Sequence, residues 1–380
     1  MRTYIAVAAV VLAAALVPGA ARPATASRSF QVGIYDDAQL RYGPTADTVA
    51  MYKKLHVKVA RMTLFWGGKL GVARRRPAHP SNPADPAYNW AAYDSVVQQL
   101  SAAGIQVVFS IYGTPAFANK DKGQNVAPID PSALRSFAYA AALRYSGTFV
   151  SGNTKLPKVR DWLAWNEPNN PVFLKPQYKR DGRKWVMLSA INYAKICNSI
   201  YAGVHGTGLT QERVACGATA PRGNNNPSSS RPSVSPISFL KAVKADGLVT
   251  FDAWAHHPYY GKPSETPATP DGAGESVELG NLNTLIKLVT QLYGNKRIWI
   301  TEYGYETNPP DDLFGVSYAK QALYLKQAFA IARANPRVDM MLWFLLKDDT
   351  NINGWQSGLI TAGGKKKPSF NAFAAMAAND

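Results

Sequence analysis

Apolar positions along the chain fall into two alternating patterns. Short runs rich in β-branched and aromatic residues are each followed by a longer segment in which apolar residues recur three and four positions apart. The short runs are "FQVGIY" (30–35), "VKVARMTLFW" (57–66), "IQVVFSIYGTP" (105–115), "VRDWLAWNEPN" (159–169), "RVACGATA" (213–220), "FDAWAHHPYY" (251–260), "RIWITEYGYE" (297–306) and "VDMMLWFLL" (338–346). Segments between them, such as "TADTVAMYKKLH", "AYDSVVQQLSAAG" and "LGNLNTLIKLVTQLYG", have the period of amphipathic helices, and the last two close on glycine. A final helical pattern, "PSFNAFAAMAA", follows the eighth run.

Strands alternating with helices predict a parallel sheet with crossover helices, and eight such units predict one closed α/β structure, a (β/α)8 TIM barrel. An open doubly wound sheet would bring a glycine-rich phosphate turn, and the sequence has none. The stretch "PRGNNNPSSSRPSVSP" (221–236) is expected to be a loop after the fifth strand, not a linker. One domain over 27–380 is therefore expected.

The N-terminus changes this picture in one respect. Arg2, the apolar run "YIAVAAVVLAAALV" (4–17) and "ATA" (24–26) have the layout of a secretory signal peptide over 1–26, so the protein is expected to be secreted and free of the membrane after cleavage. Export permits a disulfide between the two cysteines, Cys197 and Cys216; two buried free thiols fit the sequence equally well, and neither spacing suggests a metal site. The 380 residues carry a formal charge of +17, with clusters at 74–76 and 365–367. Such a balance favours anionic surfaces or polymers, but no nucleic-acid-binding motif accompanies it.

Candidate chemistry lies where such a barrel places its active site, at the C-terminal strand ends. The fourth run ends in Asn166 and Glu167, the seventh in Glu302, and the sixth in His257 and Tyr259. Strict alternation puts Leu163, Trp165 and Glu167 on one face, and Ile298, Ile300 and Glu302 on another. His257 and Tyr259 stand above small Ala253 and Ala255, while His256 turns outward to pack against a helix. Two glutamates across a barrel mouth suit glycoside hydrolysis, one protonating the leaving oxygen and the other attacking the anomeric carbon. Arg61 is placed to hold a carboxylate ionised, Tyr259 to bond the nucleophile, and Asn166 to reach a sugar 2-hydroxyl. Trp343, Trp66 and Tyr112 are candidate sugar platforms, whereas Glu306 lies beyond the strand, facing solvent or a subsite.

"WNEPN" with "ITEYG", together with "KLHVKVAR", "YNWAAYDSVVQQLSAAGIQVVFSIYGTP", "HPYY" and "SGLITAGGKKKPSFNAF", resembles clan A of the glycoside hydrolases over nearly the whole chain after the leader. Within that clan it is most similar to families 5 and 39. The resemblance implies a retaining enzyme with Glu167 as acid/base and Glu302 as nucleophile, acting on β-linked poly- or oligosaccharides as a monomer without metal or cofactor. A catalytically silent carbohydrate-binding barrel and a transglycosylase are the alternatives. Lys69 and the arginines at 74–76, with Lys175, Lys179, Arg180, Arg183 and Lys184, fall on the same face and suggest an acidic glycan.

Overall fold

The computed structural model describes residues 30–270 and 274–378, so the signal-peptide segment lies outside the described residues. Eight parallel strands close into a barrel: β1 (Gln31–Tyr35), β2 (Val59–Phe65), β3 (Gln106–Tyr112), β4 (Asp161–Ala164), β5 (Arg213–Thr219), β6 (Ala253–His256), β7 (Arg297–Tyr303) and β8 (Val338–Phe344). Each pairs with its neighbours in sequence, and β1 closes on β8 in the register Gln31↔Met340 to Tyr35↔Phe344. The crossovers are α1 (Thr45–Lys54), α2 (Ala91–Ala102), α3 (Pro131–Arg144), α4 (Leu188–His205), α5 (Pro236–Ala245), α6 (Leu282–Tyr293) and α7 (Tyr318–Ala334), and α8 (Pro368–Ala377) follows β8. The expected (β/α)8 barrel is the observed fold.

Local chemistry starts several of these helices. Asp130, Ser235 and Ser317 each accept a backbone N–H of the first turn of α3, α5 and α7, and proline opens α3 and α5 with its missing N–H at no cost. Apolar side chains then form two layers. Val59, Val108, Leu163, Ala253, Trp299 and Met340 fill the inside of the barrel. A larger outer layer, among it Met62, Phe109, Trp162, Trp254, Ile300 and Met341, joins the strands to the helices.

Strict alternation fails at three places, all near the C-terminal ends. Ile298 and Ile300 lie in the outer layer, not on the face of Glu302, because the pairing of β7 with β8 shifts between Ile300 and Tyr303. That bulge re-aims the strand end, so that Thr301 and Glu302 both reach the barrel mouth. Trp165 also leaves the face of Leu163 for the outer layer, since β4 stops at Ala164 and Trp165 takes φ +70°. Between β5 and β6 the register shifts near Gly217, whose φ of +96° would bring an added Cβ to 2.5 Å from the carbonyl of Ala255. Only glycine fits there.

Cys197 in α4 and Cys216 in β5 are joined by a disulfide, which decides between the two states the sequence left open.

Candidate active site

The barrel mouth gathers Arg61, Asn166, Glu167, His257, Tyr259 and Glu302 into one hydrogen-bonded group. Arg61 rises from β2 with no exposure to solvent. Each of its nitrogens has a partner: Nε donates to Ser110 Oγ (2.7 Å), Nη2 to Asn166 Oδ1 (2.6 Å), and Nη1 to Glu302 Oε1 (2.7 Å) and the Thr301 carbonyl (3.2 Å). Its guanidinium lies 4.2 Å above the Tyr35 ring. A buried cation is tolerated only with such complete pairing.

Glu302 receives a second bond on its other oxygen, from Tyr259 Oη at 3.1 Å. Burial and the adjoining carboxylates push the Tyr259 hydroxyl well above its ordinary range, so it remains a donor. Glu167 stands in different surroundings. Burial pushes its carboxyl up to about 7, against the opposing effects of the Asn170 amide, which donates to Oε2 at 3.0 Å, and of the Arg61 charge. One carboxyl is thus paired with a cation, while the other is desolvated toward its neutral form. Distinct acid and base roles require this difference.

His257 lies between them, with Nδ1 3.1 Å from Glu167 Oε1 and 3.6 Å from Glu302 Oε1. Burial pushes its imidazole down to about 3, so the ring is neutral. Arg61 Nη1, which can only donate, faces Nε2 at 3.3 Å. Nε2 is therefore the acceptor, and Nδ1 carries the proton and donates to Glu167. An oxygen of Glu167, an oxygen of Glu302 and a ring nitrogen of His257 all lie within 4.8 Å of one another. Two carboxylates and an imidazole are also metal ligands, but a cation placed here would adjoin the fixed charge of Arg61.

The chain after β4 is bent to make this possible. Trp165 (φ +70°) and Glu167 (φ +35°) both take left-handed backbone conformations without being glycine. Trp165 is drawn into the outer layer, where its indole N–H meets the Phe173 carbonyl at 2.8 Å, while Asn166 and Glu167 turn to the mouth. Glu167 is held there by its N–H bond to the Ala218 carbonyl (2.9 Å) and by the Asn170 N–H to its own carbonyl (2.9 Å). Strain of this kind persists where surrounding bonds fix it.

Three expected platforms are not part of the group. Trp343 is fully buried in the outer layer and donates its N–H to the Ser357 carbonyl, because Met340 and Leu342 take the inward positions of β8. Trp66 is stacked on Phe137 at 5.8 Å and is 1% exposed. Tyr112 is packed between Trp165 and Phe65. His256 turns outward as expected, but is held by Thr219 Oγ1 and the Val277 carbonyl rather than by a helix.

A cleft of about 370 Å³ opens over Glu167 and Asn170, between Tyr259, Tyr260, Glu306 and Trp355. Trp355 is half exposed, 5.0 Å from the Tyr259 ring and 5.4 Å from Phe344, and is the aromatic surface that the sequence reading missed. It sits in "TNINGWQSG", whose only signal is a lone tryptophan in a polar loop. Asn170, Thr301, Ser110 and Tyr35 were likewise missed, because small polar residues next to a motif have no periodicity of their own. Glu306 lines the cleft, and burial pushes its carboxyl up to about 7.

Comparison with known proteins agrees with the fold. Residues 238–373 match the family model described as glycosyl hydrolase catalytic core. Among solved structures, the fold is similar to that of a glucosidase from Croceicoccus marinus (TM-score 0.65, 16% identity), over 93% of this chain and 67% of that one. It is similar to a family 39 glycoside hydrolase from Bacteroides cellulosilyticus (0.60, 18%), over 91% and 63%, and to an endo-β-1,4-glucanase from Xanthomonas axonopodis pv. citri (0.58, 12%), over 92% and 99%. The chain thus spans about two thirds of the length of the first two. No curated protein matches the sequence. The family match is thus confined to the part of the chain from α5 to α8, and the likeness to solved structures over the rest of the barrel is one of fold.

Proposed function

We propose that the protein is an exported, retaining β-glycosidase or endo-β-glycanase, with Glu167 as acid/base and Glu302 as nucleophile. The observation that carries this reading is the short separation of the two carboxylates, whose nearest oxygens lie within 4.8 Å. Retaining enzymes hold theirs about 5 to 5.5 Å apart, whereas inverting enzymes leave about 6.5 to 9.5 Å for a water.

In the first step, Glu167, kept protonated by burial, gives its proton to the leaving oxygen as Glu302 bonds to the anomeric carbon. Arg61 and Tyr259 each hold one oxygen of Glu302, which fixes the plane of the attacking carboxylate. Glu167, now ionised, then takes a proton from water, which attacks the same carbon from the vacated side and releases Glu302. Asn166 turns its carbonyl to Arg61, so its amide N–H groups point away and are available to a sugar hydroxyl. Export rests on the N-terminal pattern, and the Cys197–Cys216 bridge supports it.

The test is hydrolysis of aryl β-glycosides and soluble β-glycans by the wild type and by Glu302→Gln, with the anomer of the first product followed by NMR. Retention by the wild type and a loss on the order of a thousandfold or more in the variant are expected, as for removal of a group central to the transition state. An inverted first product would overturn the assignment of Glu302 as nucleophile. Folded protein silent on every substrate would favour the binding-only barrel.

A further inference from the structure

The loops crowning the barrel divide by charge. Between β2 and α2 the chain carries Lys69, Arg74, Arg75 and Arg76 against Asp85 alone. Between β4 and α4, five cations stand against Asp181 and Glu167, and between β5 and α5 Arg222 and Arg231 stand with no acid. The β3–α3 loop is balanced. Beyond β5 the sign reverses: Lys262 faces four acids between β6 and α6, and Glu306, Asp311 and Asp312 follow β7 with no base. All these loops leave C-terminal strand ends, so the catalytic mouth has a basic half over β2 to β5 and an acidic part over β6 and β7, while the loop after β8 carries Lys347, Lys365, Lys366 and Lys367 against Asp348 and Asp349.

The basic half is shaped and continuous. The loops after β2 and β3 enclose a cleft of about 930 Å³, lined by the four cations of the β2 loop, by Phe65 and Phe117, and by one acid, Asp121. Phe65 ends β2, the strand that carries Arg61, so this cleft lies at the C-terminal end of an active-site strand. The β3 loop connects in turn to the β4 loop, through the Lys175 N–H to the Asn125 carbonyl (2.8 Å) and the Asn125 amide to the Val172 carbonyl (3.0 Å). Farther out, a two-stranded hairpin (Lys179–Asp181 with Lys184–Val186) holds Arg180 4.3 Å over the half-exposed Trp185 ring.

Arg144, Arg213 and Arg222 all have carboxylate partners, but among the described residues Lys69, Arg74, Arg75, Lys179, Arg183 and Lys184 form no ion pair. Like charges gathered unpaired on one face repel one another, and an anionic ligand relieves that repulsion. Flat rings set among them suit sugar faces. We propose that this half of the mouth binds an anionic polysaccharide, bearing carboxylate or sulfate groups, and delivers it to Glu167 and Glu302; the proposal rests on the catalytic reading given above. Nucleic acid is the weaker match, since the groove ends at a pair of glutamates and a cleft bordered by acids.

The test measures binding to Glu302→Gln, so that turnover does not enter, using the carboxymethyl and hydroxyethyl derivatives of one β-glucan backbone, polymannuronate, duplex DNA and phosphatidylserine vesicles. The carboxylated polymers should bind at least about tenfold more tightly than the neutral one at low salt, and lose that advantage near about 0.5 M salt. Arg74→Glu/Arg75→Glu and Arg183→Glu/Lys184→Glu should each lower the ratio of carboxylated to neutral affinity by about tenfold, with unchanged thermal unfolding as the check on folding. Equal affinity for carboxylated and neutral polymers, an unaltered ratio in both double variants, or tighter binding to DNA or vesicles would each overturn the proposal. A wild type that hydrolyses nothing, while Glu302→Gln binds as expected, would strike the catalytic reading and leave the binding surface standing.

Discussion

At the scale of single residues, the site is organised by one asymmetry. Glu302 is bonded to a buried guanidinium, while Glu167 is buried without a cation of its own and is pushed up to about 7. A general acid must be protonated to act, so kcat/KM should fall as pH rises through about 7. Glu306 lines the same cleft and is also pushed up to about 7 by burial, so the pH profile alone cannot name the group. Glu306→Gln should keep the alkaline limb, whereas Glu167→Gln should abolish it on substrates with poor leaving groups and cost about 10²- to 10⁴-fold in rate. Disappearance of the limb in Glu306→Gln would assign the titration to the wrong carboxyl. Stability of the wild type falls with rising pH as well. A carboxyl raised in the folded state costs nothing below its ordinary value of 4.5, and its burial as an anion costs increasingly as pH rises through about 7. Glu167→Gln should therefore match the wild type near pH 4 and exceed it near pH 8, by up to roughly 3 kcal/mol and less where solvent reaches the cleft. Thermal unfolding of both proteins at the two pH values measures the difference.

At the scale of elements, the strands were legible because a strand inside such a barrel is covered on both sides and carries a continuous apolar run. Glu167, Glu302, His257, Tyr259 and Asn166 could be placed at the mouth because each sits at or near the end of such a run, and Arg61 stood out as a charge inside an apolar one. Strict alternation was less reliable. It put Ile298 and Ile300 on the face of Glu302, whereas both lie in the outer layer, since a bulge in β7 lies between them and the glutamate. Trp343, expected as a candidate platform, lies in the outer layer because Leu342 is the inward residue there. Bulges and left-handed turns depend on neighbouring strands, so no period within one segment reports them. The Cys197–Cys216 bridge was undecidable for the same reason: it depends on how α4 lies against β5, where the two Cα atoms are 6.0 Å apart. The bridge closes a loop with a sequence separation of 19, so replacing both cysteines by alanine should lower unfolding stability by roughly 3 kcal/mol, through release of the unfolded chain. Denaturant titration would read this, with kcat of the folded fraction unchanged because both residues lie in the outer layer. A kcat that falls along with stability would mean that the bridge also positions β5 beneath Glu167.

At the scale of the whole molecule, the two ends of the barrel divide the work. The C-terminal end holds the carboxylates, the strained backbone and the charged loops. The opposite end holds a closed ionic network: Arg213 of β5 donates to Asp161 of β4 (2.8 Å) and to Asp339 of β8 (3.2 Å), and Arg297 of β7 donates to Asp339 (2.7 Å). Trp299, filling the barrel just above, directs its N–H to the same Asp339 at 3.4 Å. Four strands that are not all neighbours are thus tied across the barrel floor, where side chains serve closure rather than catalysis. Asp339→Asn removes the common acceptor charge and leaves two guanidinium groups facing a neutral amide. Because Arg213 and Arg297 are 40% and 37% exposed, solvent absorbs much of that repulsion, and the expected loss is about 1 to 2 kcal/mol rather than the larger cost of a fully buried pair. The denaturant midpoint should fall with a single cooperative transition and an unchanged kcat. Glu302→Gln should differ in kind, losing turnover outright and also lowering the midpoint, because it leaves the buried Arg61 guanidinium without its carboxylate. If Asp339→Asn instead lowered kcat at full occupancy of the folded state, floor and mouth would be mechanically coupled through Trp299, and the separation of closure from catalysis would fail for this barrel.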